Sequence, residues 1–286
     1  ANNRTFNLTP SIGYEAAAGF DHRFAGTPWH ISGAFRYGAA SASGRDSSSG
    51  AIDPAILALL GGISAAGGSQ TIEASYSESR WQADAAVGYD VLGARFGRVQ
   101  LRGGLRVAGV TGQTHLSDQR NAYIQIAPPV AIGGIMLDNM GVDDLYVLDR
   151  RTSFLGAGPR IGVDGSAPLG SGRWTFDYLA DAAVLFGTQK VTETLTQTTT
   201  VSPEILALLA GAPSTTTRTH DQRSATVFNV SLQLGTSFRV TPNVKLSASY
   251  RMDAYFNALN TTLPPAAPDT ISRITHGPRL SLSAKF

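Results

Sequence analysis

The chain has 286 residues, of which 15% are charged, and a net charge of +2. Soluble domains carry roughly 25% charge, and so slight a basic balance, with no basic cluster, excludes a nucleic-acid-binding surface. Cysteine is absent, which excludes a disulfide framework and any thiolate metal site, and the longest apolar run, Pro54–Ile63, is about half the length of a transmembrane helix.

Strand-like alternation begins at once. Ile12, Tyr14, Ala16, Ala18 and Phe20 alternate with Gly13, Glu15, Ala17, Gly19 and Asp21. After a turn at Ala25–Pro28, Trp29, Ile31, Gly33, Phe35 and Tyr37 alternate with His30, Ser32, Ala34, Arg36 and Gly38. Period 2 of this kind places one set of side chains on each face of a sheet. Residues 39–70 are rich in Ser, Gly and Ala and read as a long loop. Within it, Asp53-Pro54-Ala55-Ile56-Leu57-Ala58-Leu59-Leu60-Gly61 has an N-cap residue, Pro at the first helical position and a terminal Gly, which predicts a short helix.

From Thr71 to Leu92 a strand resumes, with Trp81, Ala83, Ala85, Val87, Tyr89 and Val91 on one face and Asp84 among the residues of the other. Ile72, Ala74 and Tyr76 are out of phase with these, so a bulge near Ser77–Ser79 or an end beyond a membrane is expected. Past a turn at Gly93–Gly97, Val99, Leu101, Leu105 and Val107 alternate with Gln100, Arg102, Gly104 and Arg106. A second long loop is expected over Thr114–Val147; its Asp138, Asp143, Asp144 and Asp149 miss the spacing of a calcium loop, so no metal site is expected.

Arg151–Gly187 is the clearest hairpin. Leu155, Ala157, Pro159, Ile161 and Val163 alternate with Gly156, Gly158, Arg160, Gly162 and Asp164. Beyond Pro168–Gly172, Trp174, Phe176, Tyr178, Ala180, Ala182, Val184 and Phe186 alternate with residues that include Asp177 and Asp181. A third loop, Thr192–Thr219, holds Ser202-Pro203-Glu204-Ile205-Leu206-Ala207-Leu208-Leu209-Ala210-Gly211, a near copy of the first helix motif about 149 positions earlier. Three more strands follow. Phe228 and Leu232 mark the first, Leu246, Tyr250 and Phe256 the second (with Arg251 and Asp253 opposite), and Leu280, Leu282 and Phe286 the last.

Short turns alternate with long connections, strands are long, and no amphipathic core helix appears. That is the layout of an antiparallel transmembrane β-barrel of the bacterial outer membrane, with tight periplasmic turns and long outer loops. Trp29, Trp174, Phe238 and Phe286 stand near turns, where an interfacial aromatic girdle belongs. A large soluble β-sandwich is the competing fold, but it would not readily carry Arg102, Arg106, Asp177 and Asp181 in mid-strand opposite wholly apolar faces. Nine strands are visible as a single domain over 1–286. Bacterial single-chain barrels have even strand numbers, so about ten are expected, the tenth lying upstream of Ala1 or coming from another chain.

The run GxGPRxGxD at Gly156–Asp164, followed by an apolar strand ending in Leu185-Phe186-Gly187, resembles the Legionella-type major outer-membrane protein family of pore-forming barrels. The segment Ile12–Tyr37 is also similar to that family's early hairpin. The family's cysteine-linked members have no counterpart in a chain without cysteine. The resemblance implies an outer-membrane pore or structural barrel and brings no catalytic residues.

The expected pore lining is therefore Arg36, Asp84, Arg102, Arg106, Arg160, Asp164, Asp177, Asp181, Arg251 and Asp253. Arg160 and Asp164 should pair across to Asp177 and Asp181. Such a lining fits a narrow passive channel for small solutes or ions, and equally an ion-pair network that closes the barrel. No catalytic residue and no cofactor is expected: His220 and Asp221 are adjacent and point to opposite faces, and His22, His30, His115 and His276 form no catalytic pattern. Outer-membrane lipid is the expected partner. Ile56, Leu57, Leu60, Ile205, Leu206 and Leu209, the apolar positions of the two helix motifs, are the candidates for contact with another copy or a surface partner.

Overall fold

The computed structural model describes residues 10, 12–52, 63–91, 97–132, 135–170, 173–202, 214–260 and 270–285. Nine strands lie among them: β1 (Gly13–Arg23), β2 (Trp29–Ala51), β3 (Ile63–Val91), β4 (Arg98–Ile132), β5 (Ile135–Pro168), β6 (Trp174–Val201), β7 (Ser214–Arg239), β8 (Val244–Asn260) and β9 (Thr270–Ala284). They form one sheet in chain order, each antiparallel to the next. The sheet curls until an arginine on β2 meets an aspartate on β8, Arg36 Nη1 lying 3.1 Å from Asp253. The fold is an all-β, open-sided barrel.

One face is apolar and outward. Leu105 is 64% exposed, Ile161 70% and Phe186 59%, and Trp29, Trp174, Phe228, Leu234 and Tyr250 are exposed with them. In water such a surface would be untenable across nine strands; against hydrocarbon it is the stabilising face. Near the short turns the aromatics pair: Trp29 with Tyr89 and Trp174 with Phe238, both at ring-centroid distances of 5.0 Å. Gly26 and Gly170, at φ of 75° and 67°, let two of these turns reverse tightly.

The three expected long loops are strands over their described parts. β2 and β3 continue past the apolar belt to the pair Ala51↔Gly67, and β4 and β5 form one hairpin as far as Ile132↔Ile135. β6 and β7 stay paired to Thr198↔Ser214. Alternating hydrophobicity marks only the part of a strand that meets lipid. Above it the backbone ladder persists with Ser, Thr and Gln on both faces, and Thr is itself a good strand residue. Thr198 and Ser214 hydroxyls, for example, lie 3.4 Å apart across β6 and β7.

The phase change at Ser77–Ser79 has the same cause. Register runs unbroken from Ala65 to Val91, so no bulge occurs there. Ile72, Ala74 and Tyr76 lie on the inward face, and Ala74 and Tyr76 are buried. The apolar side of the strand switches from outside to inside where lipid gives way to water. Both predicted helices, at Asp53–Gly61 and Ser202–Gly211, fall almost wholly outside the described residues. The expected tenth strand likewise has no counterpart among those residues. β1 and β9 are the sheet's edges and run in the same direction, so one strand antiparallel to both would complete the ladder. At one level side chains alone span the two edges: Arg279 Nη1 lies 3.9 Å from Glu15 Oε1.

The outward assignment is directly testable. Leu105→Arg should cost about 2–4 kcal/mol, because the guanidinium would face the middle of the hydrocarbon. Gln113→Arg, on the same face of β4 but above the belt, should be near neutral. Urea titration of vesicle-folded protein, read by heat-modifiable gel mobility, measures both; equal effects would defeat the register.

Candidate functional site

Alternation that sends leucine and phenylalanine outward sends charge inward. The inward residues of β2 to β8 meet at mid-height in a layer where Arg36, Arg106, Arg160, Arg251, Asp181 and Asp253 are all buried. Arg106 is wholly buried and reaches across the interior. Its Nε donates to Asp84 on the neighbouring strand at 2.7 Å, and its Nη1 lies 2.8 Å from Asp181 on β6 and donates to Asn229 on β7. Arg160 enters the same cluster through Asp181 at 3.0 Å and Asp84 at 3.6 Å.

A second cluster centres on Asp253. Arg251 donates from Nε at 2.8 Å and from Nη2 at 3.0 Å, Arg36 reaches the same carboxylate from β2, and Ser231 donates its hydroxyl to it. Gln82 and Tyr255 extend the first cluster, the phenol donating to the Gln82 amide oxygen at 2.7 Å while the Gln82 amide donates to Asp84 at 2.7 Å.

Towards the short turns lies a third group. Arg102 donates from Nη2 to Asp21 and to Asp164, both at 3.1 Å. Asp90 holds Arg98 at 2.6 Å and Arg23. His30 is fully buried here, 3.8 Å from Asp21 and from Asp90, with no hydrogen bond on either ring nitrogen. Gly88 makes room for it: a Cβ there would come within 2.0 Å of His30 Nε2.

All ten residues expected to line the interior lie on the inward face, but they fall into different levels. Arg36, Asp84, Arg106, Arg160, Asp181, Arg251 and Asp253 form the central layer; Arg102 and Asp164 belong to the lower group; Asp177 stands at the rim and pairs with Lys245 at 2.9 Å. Of the expected cross-strand partners, Arg160 meets Asp181, whereas Asp164 and Asp177 take Arg102 and Lys245 instead. Two like carboxylates had no reason to pair, and each found the nearest inward cation. Asp21, His30, Asp90, Gln82, Asn229, Ser231 and Tyr255 were not singled out, although each occupies an inward position by parity. Ile56, Leu57, Leu60, Ile205, Leu206 and Leu209 lie outside the described residues.

The GPR motif has a local physical role. A Cβ on Gly158 would meet the Val184 carbonyl oxygen at 1.8 Å, so β5 is pressed against β6 at this point. Pro159 has no N–H to donate, and the β5–β6 ladder skips Gly158 and Pro159 before resuming at Arg160↔Ala183. Pairing resumes in the same register, so Arg160 keeps its inward place in the central layer. Above the membrane, on the β3–β4 extension, Asp118 is raised by partial burial but lowered more by hydrogen bonds from Arg120 and Gln70, so its carboxyl lies below the usual range. It supports the folded state above the ordinary carboxylate range and loses that support as pH falls through its lowered value.

Among the described residues no set of three or more His, Asp or Glu is arranged to hold a metal ion. A sheet with a lipid-type apolar belt outside and paired charges inside defines the class of transmembrane β-barrels. The family model described as Legionella pneumophila major outer membrane protein precursor matches residues 3–282, and the chain belongs to that family of outer-membrane proteins. No curated protein matches the chain. Among solved structures, the ferric yersiniabactin uptake receptor FyuA from Yersinia pestis aligns at 9% identity and a TM-score of 0.17, over 96% of this chain and 56% of the receptor chain. This chain thus spans little more than half of that receptor's length.

Two substitutions in the site and one exposed control probe it. Arg106→Met leaves Asp84 and Asp181 short of their shared cation and should destabilise the barrel by about 3–5 kcal/mol. Arg45→Ala, which removes an exposed pair with Glu73, should change it by about 0.5 kcal/mol or less. Gly158→Ala should cost roughly 1–3 kcal/mol through overpacking against β6. Chemical denaturation in detergent micelles ranks all three.

Proposed function

We propose that the protein is a structural barrel of the outer membrane whose interior is closed at mid-height by its own ion pairs. The observation that carries this reading is the complete burial of Arg106, whose guanidinium bridges β3, β6 and β7 across the lumen. A solute passing this level would have to separate charges whose partners leave no room for water. The cavity beside the layer, lined by Glu15, Arg36, Arg80, Gln82, Asp253 and Tyr255 among others, offers only about 10 Å³, no more than one water needs. Contact of the two PxILALL segments with another copy or a surface partner belongs to the same reading and is supported by their apolar composition.

A passive channel is the second reading. It is favoured by what closes the lumen: side chains rather than backbone, with Arg36, Arg106, Arg160 and Arg251 facing Asp84, Asp181 and Asp253. Were the layer to part, four cations against three carboxylates would make a constriction with anion preference.

Planar-bilayer recording separates the readings. Wild-type protein is expected to give no reproducible single-channel steps. Replacing Asp84, Arg106, Arg160 and Asp181 together by Ala removes two charges of each sign and should produce them. Steps from the wild type would establish the channel instead.

A further inference from the structure

Above the apolar belt, the outward face of β3 to β7 forms a regular grid. Three successive rows read Ser79–Thr111–Ser153–Lys190–Gln222, Ser77–Gln113–Arg151–Thr192–His220 and Ser75–His115–Asp149–Thr194–Arg218. Lys190, Arg151 and Arg218 are exposed, and none has an ion-pair partner among the described residues. Asp149 is the one carboxylate in these rows, and it is engaged by His115 Nδ1 at 2.7 Å. A groove of about 290 Å³ opens on this face, lined in part by Gln113, His115, Arg151, Thr192 and Thr194. The inward face at the same height is different: Arg150 there is neutralised by Glu193 at 2.6 Å.

Depth selects the ligand. Lys190 lies four residues beyond Phe186 on β6, and Arg151 four beyond Leu155 on β5; both apolar residues are more than half exposed in the belt. Four residues of strand are about 13 Å, and a tilt of roughly 35–45° brings that to about 10 Å of height. Long cationic side chains lean down from such positions to the membrane interface. Arg151 and Lys190 are diagonal neighbours, roughly 7–8 Å apart at the backbone. That spacing suits two separate oxyanions or one phosphate and its flanking sugar. Ser, Thr, Gln and His between them supply neutral donors for hydroxyl groups.

We propose that this patch binds the phosphorylated head group of an outer-leaflet glycolipid, with Arg151, Lys190 and Arg218 as the phosphate-contacting residues. The site lies on the lipid face and does not depend on whether the lumen conducts. The cations left unpaired here, in a protein that pairs nearly every inward charge, are complementary to an anion held at this height in the bilayer.

The full-length protein, folded in phosphatidylcholine vesicles, is tested by co-sedimentation with diphosphoryl lipid A, dephosphorylated lipid A and phosphatidylglycerol. Wild type should bind diphosphoryl lipid A at least ten-fold more tightly than the other two. The triple variant Arg151→Ser/Lys190→Thr/Arg218→Thr should lose that ten-fold preference, while Arg45→Ser, another outward cation on β2, keeps it. The three positions are exposed, and unchanged heat-modifiable mobility verifies folding; the single reversal Lys190→Glu repeats the test should the triple variant misfold. Equal binding of dephosphorylated lipid A or of phosphatidylglycerol, or a preference that survives the triple substitution, overturns the assignment.

Discussion

A backbone amide in hydrocarbon has no water to bond, so every N–H and C=O of a membrane-spanning segment must be satisfied inside the protein. The nine-strand ladder is the response of this chain to that constraint. It explains why the register is unbroken through the apolar belt, with the shifts confined to Ile63/Ala65, Gln125/Val130 and Tyr255/Leu259 and the one skip in the belt sited at Pro159, which lacks the donor. It also leaves the edges of β1 and β9, which run in the same direction, without a backbone partner among the described residues. Glu15 and Arg279 face each other there, but side chains cannot replace a row of backbone partners.

The same geometry forces the interior to be polar. Alternation gives each strand one face for lipid, and the other must then be filled in a space only slightly wider than eight strands enclose. Glycine and alanine fill some of it, as Gly104, Gly158 and Ala183 do; charge fills the rest. A buried guanidinium is tolerated only with its partners in place, and Arg106 meets that condition with two carboxylates and an amide. The members of a cluster are therefore interdependent. Gln82 accepts from Tyr255 and donates to Asp84, and Asp181 serves Arg106 and Arg160 at once, so removal of one group propagates to the others.

Much of this was legible in the order of residues, because the alternation period is the physical cause of which face a side chain occupies. Arg36, Asp84, Arg106 and Asp253 could be placed inward from parity alone. Their partners could not, since strand tilt carries Arg36 to Asp253, 217 positions away, and no local pattern encodes that stagger. Strand ends are hidden from the sequence for a related reason. Hydrophobicity reports the solvent, and Ser41, Ser77 and Gln113 sit in good strand beyond the lipid. The change of apolar face at Tyr76 and Trp81 was the visible trace of that boundary.

That boundary is also where the outer face acquires its chemistry. Within the belt an outward cation is excluded by its desolvation cost, and Leu105, Ile161 and Phe186 hold those positions. One or two rows higher the cost has fallen and long basic side chains become permissible. Permissible is not the same as required: in the same rows the outward face of β2 and β3 carries serine, at Ser41, Ser43, Ser75 and Ser77, and Arg45 one row beyond is paired with Glu73. The cations gather instead on β5 to β7, where Thr192 donates to or accepts from His220 at 3.1 Å and Asp149 is already taken by His115. Solubility alone would scatter charge around the rim. The one-sided concentration of Arg151, Lys190 and Arg218 sets this sector apart as a surface shaped by what lies beside it in the membrane.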